Sequence, residues 1–212
     1  MPRQNRITPF GTLIASPARG MFMGNRGLLH NAKGELTGKQ WSHRAWIICA
    51  LEFKGASREL MQPGCYTELF FLDEATALAA GHRPCALCRP KEFKAFKATW
   101  LKANAHFGLG GNPAIGKIDE ILHQERVSTS GQKVTFEATA GDLPNGVFVM
   151  LPEIPETCFL YWDGALLPWS PQGYGERQPL NPDDQLTVLT PQSTVNTLRA
   201  GYTPRVALTG VQ

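Results

Sequence analysis

The 212-residue chain lacks any apolar run near the ~20 residues that a membrane-crossing helix needs, and no apolar segment of the secretory kind follows its basic start, Met1-Pro2-Arg3-Gln4-Asn5-Arg6. No stretch recurs at a period of roughly 20–50 residues, which excludes solenoids and propellers. Charge is sparse: charged residues make up 18%, and 21 Lys+Arg against 18 Asp+Glu leave +3. A balance that small does not by itself argue a nucleic-acid partner, so the distribution of charge must decide. Gly 21 and Pro 16 fall short of a low-complexity composition, and 42% hydrophobic residues suffice for a folded core. The cysteines are few and odd in number: Cys49, Cys65, Cys85, Cys88 and Cys158. With no secretory signal, a disulfide framework is not expected; metal binding or a reactive thiol is. These absences predict a cytoplasmic protein of one large domain or two small ones.

What is present divides into three textures. Up to about Gly64 the chain is rich in β signals and glycine. Thr12–Ala15 and Ala45–Phe53 read as strands, the second nearly continuous in apolar residues and therefore mostly buried. Between them, Arg19 to His30 carries Gly20, Gly24 and Gly27, which let backbone turn tightly or approach a partner. In the middle region, Tyr66–Phe71 reads as a strand. Asp73 is a good N-cap for a short helix from Glu74 to Ala80, and Gly81 is its expected terminator. A second helix opens near Pro90, with Phe93, Phe96, Trp100 and Leu101 on its apolar face. The last region opens with a helix from Ile118 to Arg126. It then turns to short strands, Lys133–Ala138, Val147–Leu151, Thr157–Trp162 and Leu186–Leu189, separated by Gly/Pro/Asp/Asn turns. Such spacing predicts a small barrel or sandwich, closed by one or two helical turns over Thr194–Arg199. Gly108–Pro113 is the expected seam between 1–107 and 114–212.

The sharpest local signal is Cys85-Ala86-Leu87-Cys88. Two cysteines three apart at a tight turn can aim both sulfurs at one ion, whereas a thioredoxin-like redox pair follows a strand and opens a helix in a βαβ unit. Here the pair follows a helix and is flanked by Pro84 and Pro90, which favours metal. A tetrahedral zinc site needs four ligands. Cys49, in the buried-looking strand, is the expected third, its alternative being an ordinary core cysteine. The fourth is His30 or Cys65, with His43 and His82 weaker. His30 is preferred, because Cys65 sits one residue from a strand that must align its own side chains. Cys158 is expected to pack.

Tyr66 to Pro90, YTELFFLDEATALAAGHRPCALCRP, resembles the second half of the zinc-binding module of Ada-type DNA alkylation-response proteins. Gly81, Arg83, Pro84, Cys85 and Cys88 match that family's Gly-aromatic-Arg-Pro-Cys-x-x-Cys pattern, with His82 at the aromatic place. Trp46-Ile47-Ile48-Cys49 resembles the strand that carries the family's first cysteine. The resemblance covers about residues 45–90. It implies a module with one structural zinc that contacts DNA, and places Cys49 where the family's zinc-bound thiolate accepts a methyl group from backbone phosphotriesters. The departures are equally specific. The family's second cysteine, four residues after the first, is replaced by Phe53. Neither a helix-turn-helix region nor the Pro-Cys-His-Arg motif of the methyltransferase half is present.

Charge concentrates beside this module. Between Arg83 and Lys102 the basic residues are Arg83, Arg89, Lys91, Lys94, Lys97 and Lys102, against the single acid Glu92. Lys91, Lys94 and Lys97 fall on one side of the second helix, away from its apolar face. Such a stripe suits phosphate contacts, although a solvated helix face has the same appearance. Arg19 and Arg26, in the glycine-rich segment, are expected to extend this surface. Asp119, Glu120 and His123, with Glu125 and Arg126, form the one cluster resembling acid–base machinery, and Asn25 and His30 sit in a loop suited to an active site. Trp162, Trp169, Tyr174 and Tyr202 near turns are either base-stacking platforms or core packing. The expectation is therefore an α+β fold, with a treble-clef-like zinc module embedded in N-terminal β structure and a β-rich C-terminal lobe. The expected function is zinc-containing DNA binding, connected with damaged or modified DNA. The alternatives are a nucleic-acid hydrolase with a structural zinc (a nuclease or base-removing enzyme) and a non-catalytic zinc-stabilised interaction domain.

Overall fold

The protein's structure, a computed structural model, describes residues 1–55 and 59–208. Its first sheet starts from an antiparallel hairpin, β1 (Gln4–Ile7) with β2 (Leu13–Ala15). Strand β3 (Phe22–Asn25) lies antiparallel between β4 (Ile47–Cys49) and β5 (Leu69–Phe71). A two-residue strand, β6 (Arg83–Pro84), pairs in parallel with β4 at the sheet edge, completing the order β2-β1-β5-β3-β4-β6. Pro84 is tolerated there because an edge position does not require its missing N–H. The glycine-rich stretch, expected to turn, is thus partly a strand. Its glycines serve close approach: a Cβ on Gly24 would lie 2.0 Å from the Ile47 carbonyl oxygen, and one on Gly20 1.8 Å from that of Phe71.

Helix α1 (Glu74–Ala79) is capped by Asp73, whose Oδ1 accepts from the Thr76 N–H at 2.8 Å. Gly81, at φ +86°, takes the left-handed conformation that follows a helix end. Helix α2 (Pro90–Ala103) opens on its proline and buries Phe96 and Trp100 completely, each worth about 2–3 kcal/mol of apolar burial. Helix α3 (Ile115–Arg126) begins three residues earlier than its apolar pattern suggests, and α4 (Gln192–Arg199) follows the last strand.

The second sheet comprises β7 (Phe136–Thr139), β8 (Val147–Met150), β9 (Cys158–Trp162), β10 (Ala165–Ser170), β11 (Gly173–Tyr174), β12 (Gln178–Pro179) and β13 (Gln185–Val188). Its order is β11-β10-β9-β8-β13-β7, with β12 added to β10. The terminal strands β7 and β11 do not pair, so the sheet is open and the expected small barrel does not form. Helix α1 supplies the reason: Ala75 and Ala79 pack on Phe148, Leu160 and Leu167, burying a face that closure would otherwise have to bury. The fold is α+β with two sheets. One apolar cluster runs from Phe22, Leu69 and Phe71 through Phe96 and Trp100 to Val147, Val149 and Leu186, so 1–107 and 114–212 share a core. Polar contacts cross it too. The Trp100 indole N–H and the Ser193 backbone N–H donate to Ser193 Oγ (3.0 Å) and Glu125 Oε2 (3.1 Å) respectively, and Asn104 Nδ2 donates to the Ser193 carbonyl at 3.0 Å.

Candidate metal centre

The cysteines are brought together by strand register. In the parallel β4–β6 pair, Ile47 lies beside Arg83 and Ile48 beside Pro84. The Cys85 N–H donates to the Ile48 carbonyl at 2.9 Å, so the next residue on each strand is a cysteine. The tight turn after Cys85 then returns Cys88 to the same spot before α2 begins. The sulfurs of Cys49, Cys85 and Cys88 all lie within 4.8 Å of one another. A tetrahedral zinc with Zn–S bonds of about 2.3 Å wants sulfurs about 3.8 Å apart, so the donor set fits a soft cation with little adjustment.

Local electrostatics prepare the site. The Leu87 N–H points at Cys85 Sγ and the Ala50 N–H at Cys88 Sγ, each at 3.4 Å. The Cys49 thiol donates to Cys85 and, helped by the Cys88 and Leu87 backbone N–H groups, pulls the Cys85 thiol down to about 5. Cys49, as the donor, is pushed up, and burial pushes Cys88 up. The close approach of the three thiols opposes the loss of more than one proton, which a divalent cation would relieve.

Among the described residues, no other Cys, His, Asp or Glu completes a fourth ligand position. His30 is buried elsewhere with both ring nitrogens engaged, Nδ1 with Thr67 Oγ1 at 2.6 Å and Nε2 with the Gln62 carbonyl at 3.1 Å. Only the imidazole can supply the proton to that carbonyl. Cys65 is half-buried in its turn, outside the group. His82 is fully buried against Phe71 and Trp46, and His43 is exposed. Cys158 packs in the second sheet, its thiol pushed up to about 12 by burial.

The arginines expected on a phosphate surface are placed inside. Arg83 is 4% exposed and grips Asp119 of α3 with two parallel bonds of 2.9 and 2.8 Å. Arg89, equally buried, sets its Nη2 2.9 Å from Glu74 Oε1 at the start of α1 and lies over the Phe22 ring. Arg26 is 1% exposed, its guanidinium 3.8 Å above Trp46. Arg83 and Arg89 hold the cysteine turn to α3 and α1, and Arg26 fixes Trp46 and His82 beside it. The lysines behave differently: Lys91 and Lys94 are exposed, and half-buried Lys97 donates to Asn112 Oδ1 at 2.7 Å.

The acid–base cluster disperses in the same way. Asp119 is committed to Arg83, and Glu120 forms a surface ion pair with Lys117 at 3.5 Å. His123 accepts from Arg126 Nη2 at 3.0 Å and is held down to about 4 by burial and neighbouring arginines, so it is neutral at pH 7. Asn25 is buried, its side chain accepting from the Gly27 N–H at 3.2 Å. The aromatics near turns anchor α1. The Tyr174 hydroxyl donates to Asp73 (2.6 Å), the Tyr202 hydroxyl to Glu74 (2.7 Å) and the Trp169 indole to Thr76 Oγ1 (3.1 Å). The importance of Asp73 and Glu74 as anchors had one sequence signal, a pair of acids opening an otherwise apolar helix. No helix among the described residues is long and apolar enough to cross a membrane. Compared with protein-family models, curated proteins and solved structures, the chain has no match in any of the three.

Proposed function

We propose that Cys49, Cys85 and Cys88 hold one structural zinc ion per chain, and that the protein binds DNA through the lysine face of α2 beside that ion. The reading is carried by one observation, three sulfurs from two strands and a turn converging within 4.8 Å. Zinc there would clamp β4 to the start of α2 and keep the thiols deprotonated. With three protein ligands, the remaining position falls to water or an incoming group. The DNA half of the proposal is supported by exposed Lys91 and Lys94, with Lys97 in the same row, on a helix that starts two residues after Cys88. The resemblance to the Ada-type module directs the proposal to damaged or modified DNA. Neither hydrolase chemistry at Asp119 and His123 nor base stacking by Tyr174 and Tyr202 is part of it, since those groups are committed to Arg83, Arg126, Asp73 and Glu74.

Elemental analysis of purified protein is expected to give one zinc per chain, lost in Cys85→Ser. Absence of metal from protein purified without chelators overturns the first half. Duplex binding is expected to weaken steeply as salt rises, and replacing Lys91, Lys94 and Lys97 by Gln to reduce the log–log salt slope by roughly 2 to 3. Binding that ignores salt, or a slope unchanged in the triple variant, overturns the second.

A further inference from the structure

Among the described residues, the cations buried on the far side of Trp46 form no ion pair with a carboxylate. The indole is sandwiched between two guanidiniums, Arg26 at 3.8 Å and Arg126 at 3.9 Å. Arg126 spends its donors on neutral acceptors, the carbonyls of Gly81 (2.7 Å) and Arg44 (2.6 Å) and the ring of His123. Arg26 donates to His82 Nε2 at 3.2 Å and to the Gly11 carbonyl at 2.8 Å, and its Nη2 has no partner among the described residues. Lys133, half-buried, donates to the Ala79 carbonyl. The carboxylate near this group, Asp119, is already gripped by Arg83 on two atoms. Stacking on Trp46 offsets part of the cost, but cations in a low-dielectric interior still want a counter-charge.

An open cleft of about 800 Å³ borders this cluster. Gly11 and Lys133 form part of its wall. The carbonyl of Gly11, which lines the cleft, is held by Arg26, and the orphaned Nη2 lies 3.5 Å from where a Gly11 Cβ would stand. Phe10, Leu13 and Leu36 supply an apolar side, and the side chains of Gln40 and Gln132 supply amides. The charged lining residues are Lys39 and Lys133 against one acid, Glu156. Volume and lining match a site for a small organic molecule. The buried cations add a positive field that the cleft walls focus.

We propose that this cleft binds a small organic anion, its phosphate or carboxylate head at Lys133 beside Gly11 and its apolar body against Phe10, Leu13 and Leu36. The site is separate from the cysteine centre and from the lysine face of α2. Burial first, and then the neighbouring Arg26 and Arg126, push Lys133 down to about 7.

The test titrates the full chain with phenyl phosphate, benzoate and neutral benzamide, followed by calorimetry and by backbone amide shifts. Either anion is expected to bind and to move the amides of Gly11, Thr12, Gly131 and Gln132, and which one binds tighter identifies the head group. Lys133→Gln is expected to weaken anion binding by about tenfold or more, the usual worth of a charged hydrogen bond. Phe10→Ala, which leaves the cations in place, is expected to weaken phenyl phosphate but not inorganic phosphate. The proposal is overturned if neither anion binds, if benzamide binds as tightly as benzoate, or if the shifted amides lie outside the cleft. It is equally overturned if a folded Lys133→Gln binds unchanged.

Discussion

The two sheets are stabilised by different means. Around the second, the buried side chains are mostly apolar, Val147 and Val149 in one cluster and Phe148, Leu160 and Leu167 in another, and the polar groups buried beside them, such as Thr190, Ser193 and Thr197, are uncharged. Around the first, charged groups are buried among the apolar ones. Arg26, Arg83, Arg89, Glu74, Asp119 and Arg126 are each at most 4% exposed. An apolar interior is stable whichever way its side chains are shuffled at constant volume, whereas a buried ion pair ties two elements at fixed atoms. Arg83–Asp119 joins the cysteine turn to α3, and Arg89–Glu74 joins it to α1. The charged interior therefore determines where the cysteine turn sits, and the apolar interior provides a platform against which α1 and α4 rest.

The largest expected effects separate these two designs. Asp119→Ala strands the Arg83 guanidinium in a buried site and is expected to cost about 3–5 kcal/mol in denaturant unfolding. Phe148→Ala leaves a cavity in the second sheet and is expected to cost a similar amount. The two differ in how they are repaired. Adding Arg83→Met to Asp119→Leu removes both charges and is expected to restore most of the loss, since an apolar pair can replace a buried ion pair. The same double variant should still loosen the cysteine turn, read as faster amide exchange at Cys85 to Arg89. If the double variant is as unstable as Asp119→Ala, the pair contributes more than its position, and the contrast between the two interiors fails.

Acid sharpens the comparison next, because two imidazoles, buried His82 and half-buried His123, are packed against guanidiniums on the charged side. His82 is held well below its ordinary value, first by burial and then by Arg26 and Arg126, and His123 is held down to about 4, first by burial and then by Arg126 and Arg44. Each accepts a hydrogen bond from a guanidinium, which a protonated ring cannot do. In the unfolded chain both take up protons near pH 6.5. Their contribution to stability is therefore intact above pH 6.5 and is lost as the pH falls from 6.5 towards about 4. Melting temperatures measured from pH 7.5 to 4.5 are expected to fall within that window. His123→Gln, which keeps an acceptor without a titrating ring, should flatten the curve. A melting temperature independent of pH across the window would show that the rings are not buried neutral.

Local chemistry was legible in the sequence, and long-range partnership was not. Asp73, Gly81 and Pro90 announced helix ends because capping and φ preferences act within a few residues. The converging sulfurs were foreseen for the same reason in Cys85 and Cys88, and by the apolar run ahead of Cys49. The arginines were misplaced because a guanidinium beside a cysteine pair looks the same whether it faces phosphate or a carboxylate from elsewhere in the chain. Asp119, 36 residues after Arg83, decides the matter, and no local pattern ties the two together. His30 was misplaced likewise, its partners Thr67 and Gln62 lying more than 30 residues away. Strand β10 went unread because Pro168 interrupts it, yet Pro168 lies opposite Phe159 and its carbonyl accepts from the Gly175 N–H at 2.8 Å.

The smallest effect lies where the two interiors meet, at the N-terminus of α1. Asp73 is fully buried there, and burial pushes its carboxyl up despite donors from Tyr174, Thr76 and Ala207. Thr76 N–H and hydroxyl both reach Oδ1 at 2.8 Å, while Oδ2 takes the Tyr174 hydroxyl at 2.6 Å and the Ala207 N–H at 3.0 Å. Tyr174→Phe removes one of four donors and leaves ring packing against Phe148 in place. A hydrogen bond to a charged group is worth about 1.5–3 kcal/mol. With three donors remaining, the loss is expected near the lower end, about 1–2 kcal/mol. Tyr202→Phe leaves Glu74 with its Arg89 contact and the Arg205 N–H, and should cost no more. If Tyr174→Phe costs nothing, the hydroxyl is merely accommodated and Asp73 is held by α1 itself. If it costs as much as Asp119→Ala, the second sheet also depends on a buried charge for its seating, and the division between a charged interior and an apolar one does not hold at their junction.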